Sequence, residues 1–328
     1  MGSRYLGRKV GQAILTIFAI IVLNFILFRM MPGSPERLLH NPHLGQEQLD
    51  ALKARWGLDR PLIPDQLVAY LQATATGDLG VSIKFQNRPA LDVISDFLWP
   101  TVLLIGLGEI VAIIIGLTIG AYAGWKRGGA VDRVGTGASL ILYSMPYFVI
   151  GMPLIIILAA GLHWFPTSGM SSVSISSQGF LGQLFDIGHH LVLPLATVSL
   201  GLIGSYSIIM RSAILETRSE DYMTTARAKG ISDGRMLRSH AFPNALLPMV
   251  TIIAINLGYV VAGAITAEIV FNWPGLGTLT INALDERDYP VLQGIFLLLS
   301  VAVVIANLAA DLLYGLLDPR VRVGGEAA

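Results

Sequence analysis

Residues 100–125 read PTVLLIGLGEIVAIIIGLTIGAYAGW and contain a single charged side chain, that of Glu109. At about 1.5 Å of rise per residue, a helix of this length crosses the ~30 Å hydrocarbon core of a bilayer. The rest of the chain has the same character, since 53% of its 328 residues are hydrophobic, 13% are charged and the mean hydropathy is +0.64. Soluble domains carry about 25% charged residues, so the sequence predicts a membrane protein.

Other apolar runs of similar length occur along the whole sequence, and the first is too long for a signal peptide and has no cleavage site after it. The sequence therefore predicts an all-α, polytopic membrane protein with six transmembrane helices, which form one domain over residues 1–328. The predicted spans are residues 10–28, 100–125, 134–162, 191–210, 244–267 and 291–310.

The distribution of Lys and Arg predicts the orientation of these spans. Connections on the side of the N-terminus are rich in both residues, whereas the opposite short loops hold only Arg287. The 29–99 loop also carries basic residues, but loops of this length cross the membrane largely regardless of charge. By the positive-inside rule, both termini and the 211–243 loop are predicted to be cytoplasmic, and the 29–99 loop lies outside.

The long outer loop contains two helical patterns. GQEQLDALKARWGLD, residues 45–59, has apolar residues at helical spacing before Gly57, and a second helix is predicted from Pro64 to near Gly77. This loop is either a small cap folded against the membrane surface or a docking surface for an extracytoplasmic partner. The apolar positions are Leu49, Leu52 and Trp56 in the first helix and Leu67, Tyr70 and Leu71 in the second.

The sequence lacks the residues or motifs that several kinds of chemistry require. The sequence has no cysteine, no G-x-x-x-x-G-K-[ST] phosphate loop and no H-E-x-x-H zinc motif. A formal net charge of zero gives no general attraction to nucleic acid, so no nucleic-acid partner is expected. Ser139 stands in GASL, which resembles the serine motif of intramembrane proteases. Its interpretation as a small packing residue is favoured, because every histidine lies in a loop or at the edge of a span.

A few polar residues inside the spans are candidates for lining a translocation pathway. Glu109 must face protein or water, either as a lining group or as a hydrogen-bonding partner of another helix. Asn256 has the same two interpretations. Pro146 and Pro153 predict a kinked or tilted third span, and broken helices often line transport pathways. Packing around the kink explains these prolines equally well. The candidates near the kink are Tyr143, Ser144 and Tyr147.

The 211–243 loop is too rich in helix-forming residues to be a simple turn. Within it, DYMTTARAKG at residues 221–230 predicts a short surface helix that Asp221 caps and that Gly230 ends in a left-handed conformation. An exposed helix of this kind is typical of segments that insert into a groove of another protein.

EDYMTTARAKGISDGRMLRSHAFPNALLP, residues 220–248, resembles the cytoplasmic coupling loop of permease subunits in bacterial ABC importers of the oligopeptide and dipeptide family. The resemblance covers nearly the whole chain, through RMMPGSP, GLDRPL, GDLGVS, SMPYF, AEIVFNWPGLG, RDYPVLQG and DLLYGLLDPRVR in the family's order. The family's importer motif begins with Glu-Ala, which Thr224 and Thr225 replace here. The form of this motif in the peptide family, Asp-Tyr-x-x-Thr-Ala-Arg-Ala-Lys-Gly, is matched by Asp221, Tyr222, Thr225, Ala226, Arg227, Ala228, Lys229 and Gly230.

This resemblance implies a type I ABC importer transmembrane domain in the bacterial inner membrane, with no catalytic activity of its own. It implies as partners a second homologous permease subunit, two ATPase subunits, an extracytoplasmic substrate-binding protein and membrane lipid. ATP and Mg would be bound by the ATPase subunits, and no metal or cofactor by this chain. The 221–230 helix would contact an ATPase subunit. Short peptides are the expected substrate, although similar permeases also serve oligosaccharides, glutathione and nickel chelates.

A secondary, ion-coupled carrier is the alternative from another class, because six spans and an embedded glutamate are compatible with it. Such carriers usually place several titratable groups near the membrane centre.

Overall fold

The computed structural model describes residues 3–30, 61–85, 88–172, 179–259 and 265–317. These residues are almost entirely helical. We call the side predicted to be cytoplasmic the inner side and the opposite one the outer side. The helices are α1 (Ser3–Met30), α2 (Leu67–Ala75), α3 (Ala90–Trp125), α4 (Ala130–Ser144), α5 (Tyr147–Leu154), α6 (Phe180–Arg218), α7 (Asp221–Ala228), α8 (Asp233–Met236), α9 (Phe242–Tyr259), α10 (Ile265–Val270), α11 (Leu276–Asp285) and α12 (Tyr289–Leu317).

Within the described residues, four helices are long and apolar enough to cross a membrane: α1, α3, α6 and α12. A fifth crossing is formed if α4 and the helix that follows it count as one broken span. Helix α9 covers most of the predicted 244–267 span, whose remainder enters residues that are not described. The helices extend beyond the apolar runs, because polar ends project past the hydrocarbon core without cost.

The third predicted span is two helices rather than one kinked helix. Helix α4 and the Tyr147–Gly161 segment, which ends in a π-helical stretch from Ile155, meet at an angle of 102°. The break falls at Met145, whose extended backbone (φ −88°, ψ 125°) is the conformation that a following proline favours. The prediction that Pro153 also interrupts the span was wrong, because Pro153 lies inside α5.

The centre of the fold is a close contact between α3 and α6. Three glycines four residues apart on α3 face α6, and a Cβ added at Gly120 would lie only 2.3 Å from the carbonyl oxygen of Ser207. At Gly124, an added Cβ would lie 2.8 Å from the carbonyl oxygen of Arg211. Small residues at this spacing allow the backbones of two membrane helices to approach each other. Gly116 is the third residue of this glycine row.

On the outer side, α10 and α11 fold back against the beginning of α3. Glu268 is fully buried there, and its carboxyl group accepts hydrogen bonds from Thr101 Oγ1 at 2.8 Å, Gly277 N at 2.7 Å and Thr278 N at 3.1 Å. Thr101 Oγ1 in turn accepts from Leu276 N at 2.7 Å. Glu268 lies just after a predicted span, and the chain itself provides its polar surroundings.

Helix α1 packs along α12 at the edge of the fold. Lys9 Nζ lies 2.7 Å from Asp311 Oδ2 near the inner ends, and Asn24 Nδ2 donates to the carbonyl oxygen of Gln293 at 3.1 Å. In the outer loop, α2 confirms the helix predicted from Pro64, and Gly77 follows it with φ +79°. The helix predicted within residues 45–59 lies outside the described residues.

Candidate functional site

Helix α7 begins and ends close to the predicted positions. Its N-cap is Glu220, whose side chain makes no capping hydrogen bond, so the prediction that Asp221 is the cap was wrong. Asp221 is instead the first helical residue, where a carboxylate still interacts favourably with the helix dipole. At the other end, Gly230 adopts φ +74°, as predicted.

The C-terminus of α7 forms a Schellman motif, which fixes its length. Gly230 N donates to the carbonyl oxygen of Arg227 at 3.0 Å, and Ile231 N donates to that of Ala226 at 3.3 Å. This pair of bonds requires a left-handed residue between Lys229 and Ile231, which only glycine adopts without cost. The end of α7 is therefore determined by the position of Gly230.

Two faces of α7 differ sharply. Met223 and Ala226, three residues apart, are buried at 2% and 6% exposure, and Met223 belongs to the same apolar cluster as Ile214 and Met236. Ala226 thus packs against its own chain. The other face is exposed, and the remaining residues matched by the resemblance lie on it or just after it: Asp221, Tyr222, Thr225, Arg227, Ala228, Lys229 and Gly230.

The exposed face of α7 is polar but contains an aromatic ring. Tyr222 is 40% exposed, and partial burial, followed by the nearby charge of Glu220, raises the pKa of its hydroxyl above the usual value. Arg227 and Lys229 add positive charge at the C-terminal end of α7. A face with this composition suits a protein groove with an apolar floor and an acidic rim.

The base of α7 is attached to α3 by Arg218, the last residue of α6. Its Nη1 donates to the carbonyl oxygens of Gly124 at 3.1 Å and Trp125 at 2.6 Å, and its guanidinium lies 5.2 Å from the centre of the Trp125 ring. The last carbonyls of a helix have no partner within the helix, so the arginine satisfies two acceptors that α3 leaves open.

A second arginine joins α6 to α4. Arg211 Nε donates to Asp132 Oδ1 at 2.5 Å and its Nη2 donates to Oδ2 at 3.1 Å, a bidentate pair. Asp132 also accepts from the backbone nitrogen of Gly128 at 2.8 Å and from Thr136 Oγ1 at 3.1 Å. The inner ends of α3, α4 and α6 are thereby tied together next to α7.

Deeper in the fold, Glu109 is 2% exposed and accepts a hydrogen bond from the hydroxyl of Tyr206, which itself accepts from Asn256 Nδ2 at 2.8 Å. The structure thus joins two of the five predicted pathway residues through a tyrosine that sequence reasoning missed. Each residue comes from a different helix: α3, α6 or α9. In the chain by itself, this cluster is a set of interhelical hydrogen bonds.

The other three candidates lie at the break between α4 and α5. Tyr143 is 62% exposed, and exposed Ser144 donates to the carbonyl oxygen of Leu140 at 2.8 Å. The ring of Tyr147 packs against the backbone of Gly201, where an added Cβ would clash with it. Tyr143 and Ser144 therefore face away from the chain, whereas Tyr147 packs against α6.

Ser139 is buried at 2% exposure where α4 crosses α6. A Cβ at Gly204 would lie 2.5 Å from the carbonyl oxygen of Ser139, so the two backbones are in close contact there. This position agrees with the interpretation of Ser139 as a small packing residue.

The arrangement of these helices defines the class to which the protein belongs. Its fold matches the membrane domain of the MetNI methionine ABC transporter, solved in inward-facing conformations, with a TM-score of 0.55 and 17% identity over 70% of this chain and 97% of that one. The fold is that of the transmembrane domain of a type I ABC importer.

The chain belongs to the binding-protein-dependent transport system inner membrane component family, whose model matches residues 116–323. The model of that family's N-terminal part matches residues 2–95. The matched segments include α7, its glycine stop and Arg218.

Relatives of similar length carry the names of peptide transport systems. The di/tripeptide transport system permease protein DppB of Pseudomonas aeruginosa is 36% identical over 97% of this chain and 98% of its own length. The glutathione transport system permease protein GsiC of Escherichia coli is 33% identical over the same shares of both chains. The protein is accordingly a multi-pass ABC transporter permease of the inner membrane.

Proposed function

We propose that this chain is a permease subunit of an ATP-driven importer that moves short peptides across the bacterial inner membrane by alternating access. The main support for the proposal is that α7 has two different faces. One face, with Met223 and Ala226, is packed against this chain, and the other is polar and exposed. A helix attached in this way is held firmly by its own subunit and still offers a surface to another.

In this mechanism α7 enters a cleft of a separate ATPase subunit, one of two in the complex. Closure of the ATPase dimer on ATP displaces α7, and the attached ends of α3, α4 and α6 follow. ATP binding energy changes the balance between inward-facing and outward-facing states only if the contact persists in both. The Schellman end and the Met223 anchor support this, because they keep α7 a rigid element. ATP and Mg are bound by the ATPase subunits, and this chain performs no catalysis.

The remaining partners are a second, homologous permease that completes the pathway, an extracytoplasmic binding protein that delivers substrate, and surrounding lipid. Both termini are cytoplasmic in this arrangement, on the side of α7. In this proposal, exposed Tyr143 and Ser144 at the break of the third span face the second permease across the pathway. Glu109, Tyr147 and Asn256 lie further inside the fold and stabilise the helices that form that surface.

A short peptide is the substrate class that the relatives favour. Glutathione is itself a small peptide, so the relative named for it falls in the same chemical class as those named for dipeptides and tripeptides. The proposed substrate is therefore a compact, polar, peptide-like solute rather than an oligosaccharide or a nickel chelate.

Reconstitution of the full complex in vesicles tests this proposal. Peptide uptake should require the binding protein and ATP and should be unaffected by collapse of the ion gradients. Uptake that persists without ATP and follows an imposed proton or sodium gradient would show a secondary carrier instead.

A further inference from the structure

We propose that Arg218 is a positioning residue that transmits the movement of α7 to α3 through its bonds to Gly124 and Trp125. The inference rests on the proposed function of α7 and adds the route by which its displacement enters the membrane bundle. Arg218 is the last residue of α6, and α7 begins three residues later at Asp221. The chain that leads from α6 into α7 therefore passes directly through Arg218.

Three contacts of two kinds hold the Arg218 side chain on the end of α3. It donates to two carbonyl oxygens, at 3.1 Å and 2.6 Å, and its planar guanidinium stacks over the Trp125 ring. A cation at a helix C-terminus is also favoured by the helix dipole. Both hydrogen bonds come from the same nitrogen, so a lysine ammonium could replace them, but lysine has no planar guanidinium to lie over the Trp125 ring.

The contact is placed where α3 and α6 already touch. A Cβ at Gly124 would lie 2.8 Å from the carbonyl oxygen of Arg211 and 2.9 Å from Ile214 Cβ, so the two helices are in close contact there. The hydrogen bonds of Arg218 join α6 to α3 at the inner end of this contact. Inner α3 and α6 consequently move together when α7 is pulled.

The outer part of α3 is hydrogen-bonded to other helices, which can receive the movement of α3. Thr101 is bonded to Glu268 and to Leu276 N, which attaches α3 to α10 and α11 on the outer side. A helix of 36 residues is about 54 Å long at ~1.5 Å per residue, enough to connect both surfaces. A displacement received at Trp125 therefore reaches the outer helices through one continuous element.

The first experiment compares Arg218→Gln with Arg127→Gln in the reconstituted complex. Arg127 is an exposed arginine two residues after Trp125, so its replacement removes the same charge nearby. We expect Arg218→Gln to lower peptide uptake per ATP hydrolysed at least tenfold while ATP hydrolysis stays within twofold, and Arg218→Lys to lower it about threefold. Arg127→Gln should leave both rates unchanged.

Two results would overturn the proposal. If uptake and ATP hydrolysis fell in parallel in Arg218→Gln, the residue would serve only the fold or the assembly. If both rates were unchanged, the contacts of Arg218 would not transmit the movement of α7. Should Arg218→Gln not assemble, Trp125→Leu keeps the carbonyl bonds and removes only the ring. This variant must then lower uptake per ATP, and a normal ratio would equally refute the proposal.

A second measurement does not depend on transport. The sequence has no cysteine, so spin labels at Lys126→Cys and Glu220→Cys report only the distance between the end of α3 and the start of α7. We expect a narrow distance distribution with Arg218 and a broad one with Arg218→Gln. A narrow distribution in both the wild type and Arg218→Gln would contradict the proposed connection between α7 and α3. Absence of ATP-dependent uptake by the wild-type complex would instead contradict the proposed function.

Discussion

Two short helical segments on opposite sides of the fold, α7 inside and the α10–α11 pair outside, are built in contrasting ways. The outer pair surrounds a fully buried carboxyl group with three hydrogen-bond donors, and it packs Leu276, Leu279 and Ala283 against the start of α3. Helix α7 buries only Met223 and Ala226 and leaves its polar face exposed. The outer pair is therefore completed within the chain, whereas α7 has a face left for a partner.

This contrast predicts that changes in the outer pair act first on the stability of the isolated chain, while changes in α7 act on transport. Each of the following substitutions tests one side of it, and they are ordered by their expected effect on the free energy of unfolding.

Glu268→Ala should have the largest effect on stability. It leaves two buried donors, on Thr101 and Gly277, and the half-buried amide of Thr278 without an acceptor, and each unsatisfied buried group costs about 1–3 kcal/mol. We expect a loss of about 3 kcal/mol or more, measured by denaturant titration of the purified chain in detergent. If the denaturant midpoint of Glu268→Ala were unchanged, the proposed contrast in stability between α7 and the α10–α11 pair would be wrong.

Thr101→Val should cost less, because it keeps the volume of the side chain and removes a single hydroxyl. That hydroxyl donates to Glu268 and accepts from Leu276 N, so its loss leaves the Leu276 amide without its acceptor. We expect a decrease of about 1–3 kcal/mol in the same titration. Thr118→Val is the matched control, since the hydroxyl of exposed Thr118 donates to the carbonyl oxygen of Ile114 on its own helix.

Gly230→Val should destabilise the chain by about 1–2 kcal/mol, the cost of a left-handed conformation for a residue with a side chain. Its effect on transport should be much greater, because the Schellman motif orients the end of α7. Uptake is expected to fall at least tenfold in vesicles, while the chain still assembles into the bilayer. Gly234→Val is the control, since Gly234 has no positive φ and no atom within 4 Å of an added Cβ.

Arg227→Glu should leave the unfolding free energy within about 0.5 kcal/mol, the usual range for an exposed position. The reversed charge should nevertheless lower ATP-coupled uptake several-fold by repelling an acidic rim on the ATPase subunit. Binding of the purified ATPase subunit, measured at low and high salt, checks the cause. If affinity is unchanged and independent of salt, the exposed face of α7 does not make the proposed contact.

Sequence patterns located the helices well because their causes are local. Charge-free runs marked the spans, and the glycine at 230 marked the end of α7, where a single backbone conformation decides the outcome. The bend at Met145 was only partly foreseen, because a proline signals an interruption but not its angle. The donors around Glu268 could not be predicted, because Thr101 is distant in sequence and the two backbone donors depend on how α11 folds back.

The contacts of Arg218 and Tyr206 were missed for the same reason. Each depends on the rotational setting of α6 against α3, about ninety residues earlier in the chain. The glycines at 116, 120 and 124 were the available signal, since small residues four apart mark a helix face that meets another backbone. From that face, Tyr206 and Arg218 could have been placed beside α3.

The glycine row also has a consequence for biogenesis. During synthesis α3 enters the bilayer before α6, so its bare glycine face first contacts lipid, and Glu109 has no tyrosine to pair with. An ionisable residue near the centre of an isolated span opposes insertion by about 2.5–3.5 kcal/mol. Packing of α6 against α3 covers the glycine face and gives Glu109 its tyrosine partner, so the association of these two helices offsets this cost.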